Sequence, residues 1–322
     1  MSAGVYTLAV IGAGLIGSSV ARAAREKGLA DRVVVTDRDP AVRARVRELG
    51  FAHHVPDDTT AAAEGADMVI ACVPVGASGA VAREIGPVLK PGAIVSDVGS
   101  VKGAVLEAMA PHIPVHAHLI PAHPVAGTEF SGPDAGFASL FEGRWCIVTP
   151  PPEADPAAVE TVIALWRGFG SNVETMSAQH HDLVLAITSH VPHLIAFNIV
   201  GTAAHLEHTL QSEVIKFSAG GFRDFTRIAA SDPTMWRDVF LYNREAVLEM
   251  LGRFTEDLAA LQRAIRYGDG EALFDHFTRT RAIRQSIIAQ GQETAAPDFG
   301  RRNTPGTGTG TGGPLSSALP DS

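Results

Sequence analysis

An apolar run, Leu8-Ala9-Val10-Ile11, leads directly into Gly12-Ala13-Gly14-Leu15-Ile16-Gly17 and then into small, helix-compatible residues from Ser18 to Lys27. That order dictates strand, tight turn, helix. A second β-branched run, Val33-Val34-Val35, follows, and Asp37 stands at its carboxyl end. Together these complete a dinucleotide-binding fingerprint in its required context. Gly12 permits the turn, Gly14 leaves the backbone open to a pyrophosphate, and Gly17 lets the helix lie close to the strand. The helix opening at Leu15 and Ile16 presents unpaired N–H groups and its positive end to the phosphates. Asp37 suits both hydroxyls of an adenosine ribose and repels a 2′-phosphate, which favours NAD over NADP. Arg38 leaves that choice open, because an arginine there can take the phosphate.

Strand and helix signals continue to alternate. Pro40 opens a helix to Leu49, Met68 to Val73 reads as a buried strand ending at Pro74, and Val81 to Leu89 as a helix stopped by Pro91-Gly92. Ala93 to Asp97 is a further strand, Ser100 follows its tip, and Lys102 to Met109 is helical. Such alternation specifies an α/β, Rossmann-type doubly wound parallel sheet. Its ligands bind beyond the carboxyl ends of the strands, so Gly12 to Gly17, Asp37, Val73-Pro74, Gly99-Ser100 and the stretch after Ile120 should share one crevice. Val73 and Pro74 thereby join the expected cofactor contacts. Ser100 reads either as the N-cap of the Lys102 helix or as a cap that also reaches the site.

Val115 to Ile120 is expected as another strand, followed by a turn-rich loop, Pro121 to Gly132, that carries His123. Trp145 to Thr149 and Asn172 to Glu174 read as strands around a helix from Pro156 to Phe169. From Ser177 strand signals vanish and apolar residues recur at helical spacing. The expected division is a dinucleotide-binding domain over residues 1–175, an all-helical substrate and dimerisation domain over 176–291, and a disordered tail over 292–322. A long helix from Pro233 to Leu261 offers a surface for a homodimer. The tail is rich in Thr, Gly, Pro and Ser and lacks apolar residues to offset the entropy of ordering. No separate regulatory domain is expected after Gln290.

A net charge of −9 over 322 residues argues against nucleic acid or an anionic membrane as main partner. No apolar run is read as approaching the roughly 18 residues of a membrane span. The first residues enter the first strand with no basic region or apolar signal core, and the two cysteines, Cys72 and Cys146, are isolated. Both points predict a reducing, cytoplasmic setting.

Thirteen histidines make the chemistry conspicuous. His116 and His118 fall on one face of the expected strand with no carboxylate or cysteine to complete a metal site, so no metal is expected. His123 differs, lying past the strand tip where a ligand would be. His180 and His181 read as the solvated start of a helix. In Ser189-His190-Val191-Pro192-His193, Pro192 suggests a helix boundary that turns His190 or His193 toward the cleft between domains. Gly220-Gly221-Phe222-Arg223-Asp224-Phe225-Thr226-Arg227 reads as a loop that places the guanidinium of Arg223 for a carboxylate, or else as a surface pair of Arg223 with Asp224.

These motifs taken together, Gly12 to Gly17 with Asp37, Asp97-Val98-Gly99-Ser100-Val101-Lys102, Ala122 to Glu129, Ser189 to His193 and Gly221 to Asp224, resemble the prephenate/arogenate dehydrogenase family of tyrosine biosynthesis. The stretch from His123-Pro124 through Phe141-Glu142-Gly143-Arg144-Trp145 is most similar to its cyclohexadienyl dehydrogenases. The resemblance implies oxidation of a 4-hydroxycyclohexadiene by NAD⁺ with loss of the ring carboxylate as CO₂. It implies that His123 takes the hydroxyl proton, that Ser100 hydrogen-bonds near that hydroxyl, that Arg223 holds a substrate carboxylate, and that His193, with His190 as a neighbour, contacts substrate. The rivals are another Rossmann-plus-helical dehydrogenase, such as a β-hydroxyacid dehydrogenase or imine reductase, which use a helical-domain lysine as polar catalyst or none, and a non-enzymatic NAD-sensing regulator.

Overall fold

A computed structural model describes residues 5–128, 130–205 and 220–289. The expected tail over 292–322 lies outside the described residues.

Strands β1 (Val5–Ile11), β2 (Ala30–Thr36), β3 (Met68–Ala71), β4 (Ile94–Asp97) and β5 (His118–Leu119) form a parallel sheet in the order β2-β1-β3-β4-β5. Direction across the sheet reverses at β1, so the Gly12–Gly17 turn sits at the switch point where such sheets bind their ligands. Both faces are covered. Leu8, Val10, Val33 and Val35 point into a cluster with Phe141, Trp166 and Phe169, while Ala9, Ile11, Val34 and Val69 point into one with Val81, Ile85 and Val105. Unbroken apolar runs are what a sheet buried on both faces requires. Helices α1 (Leu15–Glu26), α2 (Pro40–Leu49), α3 (Thr59–Ala63), α4 (Ser78–Ile85) and α5 (Lys102–Met109) connect the strands.

The expected strand through His116 is only β5, which starts at His118, and His116 lies in the preceding turn with its Nε2 on the Leu89 carbonyl at 2.9 Å. A second, separate sheet was not foreseen. Strands β6 (Ala122–Pro124), β7 (Trp145–Val148) and β8 (Asn172–Thr175) pair in that order, β6 antiparallel to β7 and β7 parallel to β8. His123 therefore lies in an edge strand opposite Ile147 rather than in a loop. Edge position is what lets β6 contain Pro124, which has no N–H to give a ladder. Helix α6 (Pro156–Phe169) closes this unit, started by the Asp155 cap and ended by Gly170 in the left-handed region.

The C-terminal part is helical: α7 (Ala178–Leu185), a π-helical turn (Ala186–His190), α8 (Val191–His205), α9 (Gly220–Thr226), a 3₁₀ turn (Arg227–Ala230), α10 (Pro233–Tyr242), α11 (Arg244–Tyr267) and α12 (Gly270–Ala289). No boundary forms at Pro192. The helix runs through, and its widened turn at 186–190 lies just ahead of the proline, whose missing N–H removes one bond of the ordinary ladder. The expected single helix from Pro233 to Leu261 is instead broken at Asn243, whose side chain turns inward. Arg223 lies on α9, not on a loop. By length and composition alone the helix over Ala178–Ala204 is sufficient to cross a membrane, with 27 residues and mean hydropathy 1.7, which corrects the reading that no run approaches that length. Its polar residues His181, Asp182 and His190 are buried within protein. Trp236 and Val239 of α10 join the core on one face of the parallel sheet, docking the helical part there.

Candidate active site

The cofactor end follows from the backbone. Gly12 has φ +95°, and a Cβ there would lie 2.3 Å from the Cys72 carbonyl oxygen. A Cβ on Gly17 would lie 1.9 Å from the Gly12 carbonyl oxygen. Both glycines are thus demanded by packing. Gly14 is different: a Cβ there would meet nothing within 4 Å, so the space beside it belongs to no protein atom. Helix α1 starts at this open position without a side-chain cap and with no acid in its first turn, leaving the amide end to an anion such as a pyrophosphate. Asp37 stands at the tip of β2, its carboxylate accepting from Ala13 N at 2.8 Å and Asp39 N at 2.9 Å. The acid is thereby fixed beside the phosphate turn, as a ribose contact requires. Arg38 is exposed.

The groups fit for proton transfer come from β6 and α7. His123 is buried in β6, and its Nδ1 lies 2.8 Å from His181 Nε2. His181 Nδ1 in turn lies 2.8 Å from Asp182 Oδ1. His181 is fully buried, so its expected place on a solvated helix end is wrong, whereas His180 is exposed as read. The reason is the face it occupies: Ala178, His181, Asp182, Leu185 and Ala186 are all buried and share one stripe of the helix. That spacing was present in the sequence, masked by the polarity of two of its members.

Asp182 also accepts from the Lys102 and Gly103 amides at 2.7 and 2.8 Å. The first amides of α5 are therefore capped from another helix, and Ser100 is not that cap. Ser100, half-buried, sits two residues earlier, past the tip of β4. An acceptor-only carboxylate fixes the protons along the ladder: His181 donates from Nδ1 and accepts at Nε2, so His123 donates from Nδ1. The lone pair of His123 is left on Nε2, the form that accepts a proton.

Burial, reinforced by the neighbouring His181, Lys102 and His190, holds His123 well below the usual histidine range. Burial also lowers His181, opposed by its bond to Asp182, and brings His190 down to about 4. His193 is lowered as well, by burial first and then by the charge of Arg227. All four rings are neutral at pH 7.

Lys102 and Asp97, both buried, hold this arrangement together. Lys102 Nζ donates to Asp97 Oδ2 at 2.6 Å and to the Ala122 carbonyl at 2.7 Å, tying the tip of β4 to the strand that carries His123. His193 stacks on Trp236 with ring centroids 3.7 Å apart. The structure does not bring Arg223 to this group: it is paired at 3.6 Å with Asp224, and both side chains are 77% exposed. The surface pair is the reading the geometry favours. The arginine whose charge reaches His193 is Arg227, at the start of the 3₁₀ turn that packs on α8.

Two family models match the chain, the prephenate dehydrogenase nucleotide-binding domain over residues 20–175 and the prephenate dehydrogenase dimerization domain over residues 177–279. The chain belongs to the prephenate dehydrogenase family. Within that family it is 42% identical over 280 residues to a cyclohexadienyl dehydrogenase of Zymomonas mobilis, a match covering 87% of this chain and 95% of that protein. It is 31% identical to a prephenate dehydrogenase of Bacillus subtilis, over 91% of this chain and 79% of the relative. Among solved structures, the prephenate dehydrogenase of Aquifex aeolicus, in complex with hydroxyphenyl propionate and NAD⁺, superimposes with a TM-score of 0.83 at 31% identity, covering 89% of this chain and all of that one. The family resemblance read from the motifs is therefore confirmed, as is a Rossmann-type sheet followed by a helical domain. Among the residues that sequence reasoning passed over are His181, Asp182, Trp236 and Asn243.

Proposed function

We propose that this family member oxidatively decarboxylates prephenate and/or arogenate with NAD⁺, giving 4-hydroxyphenylpyruvate and/or tyrosine. The observation that carries the reading is the buried ladder Asp182–His181–His123, which ends on a neutral imidazole with its Nε2 lone pair unused by the ladder. Gly12, Gly14, Leu15, Ile16, Gly17 and Asp37, with Val73 and Pro74 at the neighbouring strand tip, would hold NAD⁺, which would supply the hydride acceptor.

The chain's own groups handle the proton and the charge. Ser100 orients the 4-hydroxyl, and His123 Nε2 takes its proton as C4 becomes a carbonyl with loss of hydride. The positive charge that forms on His123 is stabilised through His181 by Asp182, as a carboxylate steadies an imidazolium through its Nδ1 side. The bond to the ring carboxylate then breaks, CO₂ departs, and the electron pair left behind flows through the ring to the C4 oxygen. The phenolate so formed takes the proton back from His123. Arg227 and His193 hold a carboxylate of the substrate. A guanidinium suits two oxygens in one plane.

The catalytic-lysine rival finds no support in Lys102, which is fully buried against Asp97 and the Ala122 carbonyl. Lys216 lies outside the described residues. We further read the molecule as a cytoplasmic homodimer with domains over 1–175 and 176–291. Leu248, Leu258, Ile265, Phe274, Phe277 and Ile283 stand exposed on α11 and α12, apolar side chains that a second copy would cover. The matched model for this part is that of a dimerization domain. Turnover measured with prephenate and with arogenate, each with NAD⁺ and NADP⁺, tests the function. No NAD⁺ reduction with either substrate would remove it.

A further inference from the structure

His190 is fully buried at the end of the π-helical turn, and its Nε2 has no hydrogen-bond partner among the described residues. A buried polar atom without a partner calls for an explanation. Its other nitrogen is accounted for. Asn243, buried where α10 breaks from α11, places Nδ2 at 2.9 Å from the Asp182 carbonyl oxygen and at 3.0 Å from His190 Nδ1. A carbonyl oxygen only accepts, so the nitrogen end of the amide must face it. The second hydrogen of that nitrogen then points at His190 Nδ1, which must accept. His190 is thereby left with its proton on Nε2.

The ring lies in the middle of the site. Asn243 joins it to Asp182, which ends the ladder from His123, and Trp236 touches both this ring and His193, so His190 stands between the two. It meets the Trp236 ring edge-on with centroids 6.1 Å apart, and the Trp236 indole N–H is likewise buried without a partner. Two departures from regular helix, the π turn at Ala186–His190 and the break at Asn243, meet at this one ring. Single π turns inside α-helices occur often at functional sites.

We propose that Asn243 is a positioning residue which locks His190 as an Nε2–H donor, and that this neutral donor takes an oxygen of the substrate between the hydroxyl held by His123 and the carboxylate end at His193. The inference rests on the proposed function and adds to it the atom and its polarity. A neutral donor suits a reaction that loses a carboxylate as CO₂: it orients an oxygen without a full charge that would hold the carboxylate as an anion.

The first test needs no variant. Nitrogen-15 NMR of histidines in the NAD⁺-loaded wild-type protein should show His190 protonated at Nε2, with that signal displaced on adding hydroxyphenyl propionate. An Nδ1–H tautomer, or an unmoved signal on saturation, overturns the proposal. Asn243→Asp, whose carboxylate accepts from Nδ1–H, should switch the tautomer and lower kcat/KM about 10- to 100-fold with NAD⁺ affinity kept. His190→Leu should show a loss of the same size, and His190→Gln, which retains an N–H at that reach, should recover most of it. Equal activity of the Leu and Gln variants overturns the idea. Wild-type protein without turnover on prephenate or arogenate sinks the underlying function instead, which keeps the two failures apart.

Discussion

The two halves of the site are built by different means. At the cofactor end, the features that matter are backbone: a positive-φ glycine, an open position at Gly14, and the amide end of α1. At the substrate end they are side chains, His123, His181, Asp182, His190 and Asn243, each buried and each held by another. A backbone site is encoded within a few consecutive residues. A side-chain site is assembled from strands and helices far apart in the chain, and the first bond of the ladder joins residues 58 positions apart.

That contrast can be broken experimentally. The largest effect should come from His123→Asn, which removes the base: turnover falls by roughly 100-fold or more while NAD⁺ affinity is unchanged. Asp182→Asn should follow at roughly 10- to 100-fold in kcat, by analogy with other groups that orient a ligand's far side. It should also lower thermal stability, because one of the two α5 amides then faces an NH₂ group in place of an acceptor, a loss of about 1 kcal/mol or more. A kcat unaffected by Asp182→Asn would mean the ladder is structural only.

Arg227→Ala should raise KM for the substrate by about tenfold or more, the size of a lost charge-assisted hydrogen bond. Arg223→Ala should change KM little. The reverse result would restore Arg223 to the pocket and move the carboxylate with it.

The glycines sharpen the comparison from the other side. Gly14→Ala should leave the fold intact and weaken NAD⁺ binding by about tenfold, since the only thing its methyl meets is the ligand's space. Gly17→Ala should destabilise the protein itself by about 3 kcal/mol, because its methyl strikes the Gly12 carbonyl. Thermal melts with and without NAD⁺ separate the two.

The smallest effect is in pH. His123, His181, His190 and His193 are all held below the ordinary histidine value when folded. The unfolded chain then binds protons at a higher pH than the native one, so the stability these rings contribute is complete above about pH 6.5 and is lost as the pH falls through their folded values, about 4 for His190. Melting temperature should therefore drop from pH 6.5 to 4, and the acid limb of kcat/KM should lie below 6.5. A melting temperature that stays flat across that window would contradict neutral burial of the rings.

How much could be read in advance follows the same division. The Gly12 to Asp37 unit and the strands and helices through Asp97 were legible, and so was the singling out of His123, which the structure places at the end of the buried ladder from Asp182 through His181. The local pattern of turn residues and apolar runs acts over a few residues, and so it survives in the sequence. His181 was misjudged because a polar residue at a helix start is ordinarily solvated, and only docking of the helix against α5 buries it. The second sheet escaped notice because β6 has three residues and includes a proline. Arg223 was read as placed on a loop because of the neighbouring glycines, whereas the chain forms α9 and carries Arg223 outward beside Asp224.

The sequence by itself determined a dinucleotide-binding sheet, a helical partner domain and the family to which both belong, because these depend on periodicity and on glycines that no other residue can replace. Only the tertiary structure decided which histidines are buried, which nitrogen of each ladder member bears its proton and which arginine lies near His193. Those properties arise from burial and from hydrogen bonds between residues that meet only after the helices have docked.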